Sequence, residues 1–132
     1  MTEINIYFST GENPELSNLY PRPFIYKGYN FRSVEHAYQT LKSGSFDDKA
    51  YYSKEIKPIG KYKVKEEYSL ILMKDLIKES LNQKPTHKIK LLETGKKIIT
   101  HKQADEFWAK YFPKILMEIR EEFLREEVMI RN

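Results

Sequence analysis

The chain contains no cysteine. That absence excludes disulfides, thiolate nucleophiles and cysteine-ligated zinc together. Glycine is scarce, at 5 of 132 residues. The glycine-built motifs are missing too: no Walker A loop, no GxGxxG turn and no GxSxG elbow occurs. P-loop nucleotide hydrolysis, Rossmann binding and α/β-hydrolase chemistry therefore have no support. The histidines, His36, His87 and His101, are dispersed, with none in an HxH or HxxxH arrangement, so each reads as structural or solvated and no metal is expected. No apolar run reaches membrane-spanning length, and "MTEINIYFST" lacks the basic-then-apolar design of a signal peptide. The expectation is a soluble, cytoplasmic protein with no membrane partner and no cofactor.

What is present suits a packed core. Hydrophobic residues make up 40% of the chain and aromatic residues 14%. At this length a single domain, 1–132, is expected. The net charge of +4 hides an uneven distribution: Lys and Arg number 18 against 9 Asp and Glu between Arg22 and Lys102, and 5 against 10 elsewhere. The segment "KEIKPIGKYKVK" (54–65) sets Lys54, Lys57, Lys61, Lys63 and Lys65 around one glutamate. Such a surface attracts phosphates, on a nucleotide, a sugar or a nucleic-acid backbone; it is equally what a solvated loop shows.

Periodicity predicts mostly helix. "INIYFS" (4–9) alternates like an opening strand, and "TGENPELSNLYPRPF" (10–24) is a long loop. "IYKGYNF" (25–31) reads as a hairpin turning at Lys27-Gly28. In "SVEHAYQTLK" (33–42), Ser33 suits an N-cap, and Val34, Ala37, Tyr38 and Leu41 form an apolar stripe. A short helix is expected within 43–54. A long one is expected over Val64 to Leu81, with Leu70, Met73, Leu76, Ile77 and Leu81 on one face. "THKIKLLET" follows Pro85, and Gly95 ends it as C′ residue. A helix is expected to open at Thr100, with Gln103 in capping-box spacing, and Pro113 to begin a separate last helix carrying Ile115, Leu116, Ile119 and Phe123.

The chemistry left open is acid–base work by carboxylates, aided by an amine. Glu35, Gln39 and Lys42 fall within roughly 60° on the edge of the first helix's stripe. That row fits a solvated face or one wall of a cleft. Asp105 and the Glu66-Glu67 pair are further carboxylate candidates, and Trp108 shares a helical face with Asp105. The tryptophan suits core packing or stacking on a base.

"SNLYPRPF" (17–24), "SVEHAYQTLK" (33–42), "LLETG" (91–95), "DEFW" (105–108) and "KILMEIREEF" (114–123) occur in order. Together they resemble the NADAR, or YbiA-like, family, whose pattern runs SNFYP…SxEHxYQxxK…LLxTG…NDxxWG…LGxLLMxIR. The resemblance implies a mainly helical α+β fold and hydrolysis of an N-glycosidic bond in a phosphorylated N-riboside. Removal of ADP-ribose from modified guanine, free or in DNA or RNA, is the substrate it favours for a chain with this basic middle. Cleavage of phosphoribosylamino-pyrimidine intermediates of riboflavin synthesis is the alternative. A non-catalytic ADP-ribose or nucleotide binder and a plain nucleic-acid module are the others.

Carried over by position, the resemblance makes Glu35, Lys42 and Asp105 catalytic. Glu35 would stabilise charge at C1 and orient water; alternatively Lys42 would attack C1 of the opened ribose to form an imine, with Glu35 shuttling protons. Asp105 would position a ribose hydroxyl or act as a second acid. It makes Ser17, Asn18, His36, Gln39, Gly60, Lys61 and Trp108 substrate-binding. The partner implied is ADP-ribose or another phosphoribosyl compound. Departures from the pattern are Ala104, Ala109, Thr100, lysine for arginine at Lys61, and the lack of a glycine-rich loop after Trp108. Lys61 and Lys110 offer substitute positive charge.

Overall fold

A computed structural model describes residues 3–6, 11–56, 58–60, 66–102 and 105–131, the side chains of 66 and 128–131 excepted. The chain is α+β and mainly helical. It divides into two compact units, Asn18–Lys84 and the pair of segments Met1–Ser17 and Pro85–Asn132.

In the first unit, β2 (Phe24–Tyr26) and β3 (Tyr29–Phe31) form an antiparallel hairpin. It turns through Lys27 at φ 50° and Gly28 at φ 86°, the left-handed pair that a tight two-residue hairpin requires. Phe24 and Phe31 are buried between the hairpin and the helices. Helix α1 (Val34–Leu41) follows, capped as expected: Ser33 Oγ accepts from the His36 N–H at 3.1 Å. The short α2 (Asp48–Tyr52) is capped by Asp47, and both pack on α1 or its neighbours through rings of Phe31, Phe46 and Tyr51. Helix α3 (Glu66–Asn82) buries Met73, Leu76, Ile77 and Leu81 of the stripe that periodicity indicated and leaves Leu70 half-buried. The expected start at Val64 lies outside the described residues.

Three polar side chains tie α3 to this unit. The Gln83 amide pairs with the Ile25 backbone through two 2.8 Å bonds, N–H to Oε1 and Nε2 to O, so a side chain replaces a missing neighbour strand. Arg22 is 1% exposed and donates from Nε to Ser80 Oγ at 3.1 Å, its pKa lowered to about 10 by burial. Tyr26 donates its hydroxyl to Asp75; burial first, then this bond, raises its pKa.

In the second unit, β1 (Glu3–Asn5) pairs in parallel with β4 (Ile98–Thr100), Ile4 opposite Ile99. A 3₁₀ turn at Pro14–Leu16 and helix α4 (Pro85–Glu93) pack together, and α5 (Glu106–Arg131) lies on α4 and β4. Its core holds Ile6, Leu91, Ile99, Phe112, Leu116, Ile119 and Phe123. Gly95 ends α4 at φ 62°, as expected of a C′ residue.

Two expectations are corrected. Thr100 does not open a helix: it ends β4, and its Oγ1 donates to Ile4 O and Asn5 Oδ1 at 3.3 and 3.1 Å. A parallel partner 95 residues away supplies the ladder, and a local helical pattern contains no trace of it. Nor does Pro113 begin a separate helix, because α5 runs unbroken for 26 residues with Pro113 inside. A proline interrupts one backbone bond at a cost of about 3 kcal/mol. The continuous apolar face of Phe112, Ile115, Leu116, Ile119 and Phe123 offsets it.

Candidate active site on helix α1

The polar row of α1 is assembled by its own helix and by two segments brought against it. Glu35 occupies the first turn, where the aligned helix N–H groups favour a negative charge. Its own N–H, one of the donors left unpaired at a helix start, is accepted by the Asn18 carbonyl at 3.0 Å. The SNLYP loop is thus docked on the N-terminus of α1. Asn18 Nδ2 points to Met73 Sδ at 3.3 Å, and Asn18 Oδ1 is buried with no hydrogen-bond partner among the described residues. Met73 was legible only as part of an apolar stripe; its place beside Asn18 depends on chain folding across 55 residues.

One and two turns on, Gln39 and Lys42 stand half-buried beside Glu35. Gln39 Nε2 donates to Glu35 Oε1 at 2.8 Å, and Gln39 Oε1 accepts the Gly60 N–H at 2.8 Å. Gly60 is buried, and a Cβ there would stand 2.4 Å from the Gln39 carbonyl oxygen and 2.7 Å from Lys42 Cε. The approach is possible because this residue has no side chain. Lys42 closes the helix as C-cap, its N–H donating to Tyr38 O at 2.8 Å. Asn18, Glu35, Gln39, Lys42 and Gly60 therefore share one neighbourhood. Lys61 lies outside the described residues.

His36 is placed differently. It is 2% exposed, its ring stacks on Tyr51 at 5.4 Å, and both nitrogens are engaged. Nδ1 accepts the Arg32 N–H at 3.0 Å, so Nε2 carries the proton and donates to Tyr51 O at 2.7 Å. Burial lowers its pKa, with Arg32 adding to the effect against the opposing Tyr51 bond. This histidine ties α1 to α2.

Ser17, Asp105 and Trp108 belong to the other unit. Ser17 is buried, its N–H donating to Pro14 O at 2.9 Å at the end of the 3₁₀ turn. Asp105 is exposed and starts α5, accepting the Trp108 N–H on Oδ1 at 3.3 Å. Trp108 is half-buried against Phe107, ring centroids 4.9 Å apart. Of the acidic pair, Glu67 is exposed near the start of α3. Among the described residues no cluster of three or more His, Asp or Glu could hold a metal ion, and no helix is long and apolar enough to cross a membrane.

Frame and row together define a helical α+β protein with a carboxylate, an amide and an amine on one helix edge. The frame is that of YbiA. The structure matches the NMR structure of the E. coli protein YbiA with a TM-score of 0.72 at 20% identity, over 96% of this chain and 88% of that one. The sequence itself matches no protein-family model and no curated protein.

Proposed function

We propose that the chain is an N-glycosidase acting on a phosphorylated N-riboside, and that its substrate is ADP-ribosylated guanine, as a nucleoside or in nucleic acid. One observation carries this reading: Glu35 is held in the first turn of α1, hydrogen-bonded to Gln39, with Lys42 on the same half-buried edge. A carboxylate beside C1 of the ribose stabilises the positive charge that grows as the C1–N bond breaks, and orients the water that replaces the base. The water oxygen bonds to C1, and the departing nitrogen takes up a proton. An amine one edge away offers a covalent route. The ribose ring opens to an iminium between C1 and the base nitrogen, Lys42 adds to C1, and the base nitrogen takes up a proton and leaves; water then hydrolyses the remaining Lys42 imine to the free sugar. The resemblance also assigns Asp105 and Trp108 to the substrate. In this chain both serve the start of α5, so the reading rests on the α1 row.

The test is a panel of ADP-ribosyl-guanosine, ADP-ribosyl-guanine DNA, NAD, ADP-ribose and a phosphoribosylamino-pyrimidine, each offered to the parent and to Glu35→Gln. Release of ADP-ribose with guanosine or with unmodified DNA by the parent, lost in the variant, is expected. Tight binding without release would replace the enzyme by a binder. Turnover confined to the pyrimidine would move the substrate. Borohydride during turnover should trap sugar on Lys42; turnover with no adduct there leaves the direct attack of water.

A further inference from the structure

We infer that Gln39 is a positioning residue for the Glu35 carboxylate, itself oriented by the main chain at Gly60, rather than a group that binds substrate. The inference rests on the reading of Glu35 as the reacting carboxylate.

The Gly60 N–H can only donate. The Gln39 atom 2.8 Å from it must therefore be the amide oxygen. The amide is planar, so its NH₂ group is turned to the other side, where it too can only donate. The atom it meets at 2.8 Å is Glu35 Oε1, which must accept. Two obligate donors in series thus fix which carboxylate oxygen is held.

Glycine at 60 is what makes the first donor reach. A Cβ would lie 2.4 Å from the Gln39 carbonyl oxygen, a main-chain atom of α1 that cannot turn aside, and 2.7 Å from Lys42 Cε. The backbone at Gly60 accordingly sets two members of the row at once: it aims Gln39 at Glu35 and bounds the stem of Lys42. Glu35 is also held from its backbone, through Asn18 O. A carboxylate fixed at both its backbone and one oxygen has little freedom left, which is the condition a near-attack geometry needs.

Two measurements decide it. In the ligand-free protein, one Gln39 side-chain NH₂ proton should resonate downfield in the ¹H–¹⁵N spectrum and move upfield in Glu35→Ala, while the Gly60 amide should exchange at least about tenfold faster in Gln39→Leu than in the parent. An unshifted Gln39 NH₂, or a Gly60 amide indifferent to Gln39, overturns the relay whatever the enzyme does. On the substrate that the parent turns over, Gln39→Leu should lose about ten- to a hundredfold in kcat with KM within about twofold. Gly60→Ala should lose kcat in the same way. A Gln39→Leu variant with raised KM and intact kcat would make Gln39 a substrate contact and sink the proposal. If the parent turns over nothing in the panel, the glycosidase reading fails, and the two spectroscopic readouts still decide the relay.

Discussion

Between Asn18 and Lys84 the chain carries 13 Lys and Arg against 8 Asp and Glu; in the other unit the numbers are 10 against 11. The more basic unit also holds the half-buried acid, amide and amine of α1. The near-neutral unit holds "LLETG", "DEFW" and "KILMEIREEF", and there the polar residues hold elements together. Arg120, from the "KILMEIREEF" stretch, is 8% exposed and donates from Nη1 to Thr94 Oγ1 at 2.8 Å and to Lys97 O at 2.9 Å. It thereby joins α5 to the turn that links α4 to β4. "LLETG" and "KILMEIREEF" are two halves of one joint. Similar-looking motif residues can thus do different work, and burial with full pairing is what separates a joint from a site.

The largest effect that would sharpen this contrast is in the α1 row. Glu35→Gln should lower kcat/KM by about 10²–10⁴ on the substrate the parent cleaves, while thermal stability changes by less than about 1 kcal/mol. Wild-type turnover by this variant would erase the distinction between the units.

Next comes the joint. Arg120→Leu strips donors from Thr94 and the Lys97 carbonyl and should cost about 2–3 kcal/mol in urea unfolding, with kcat nearly unchanged. A variant of parental stability would show that the joint is incidental.

A smaller effect is expected from His36, which is buried with its charged form disfavoured. The unfolded chain takes up a proton near the ordinary histidine value of about 6.5, and the folded chain resists until lower pH. The unfolded state then binds more protons, so stability falls as pH drops below about 6.5 and is retained above it. His36→Phe should flatten this part of the stability–pH curve. A curve of unchanged slope would mean that the ring protonates in place.

Smallest is Asp105→Ala, which removes the side-chain acceptor for the Trp108 N–H and should cost about 1 kcal/mol of stability. If activity fell a hundredfold as well, Asp105 would join Glu35 as a reacting group.

Much of the frame was legible in the chain. Val34, Ala37 and Tyr38 repeat at helical spacing and are buried, and Ser33 caps α1 where its hydroxyl and position suggest. The Lys27-Gly28 turn, the α3 stripe and Gly95 followed from local geometry in the same way. The strand at Ile98–Thr100 and the unbroken α5 were not legible. One depends on a partner at the far end of the chain, the other on packing that outweighs a proline. In the candidate site, Glu35, Gln39 and Lys42 could be placed on one edge by counting residues. That Gln39 turns toward Glu35 could not.

The sequence by itself determined the local elements and the order of the polar row, because helical periodicity, capping and turn chemistry act over a few residues. Tertiary structure alone decided which carboxylate oxygen is held, why position 60 has no side chain, and that Arg120 belongs to Thr94. The first two turn on the approach of Gly60 to Gln39, 21 residues away, and the last on a contact across 26 residues, so each is set by donors and by space that only the folded chain defines.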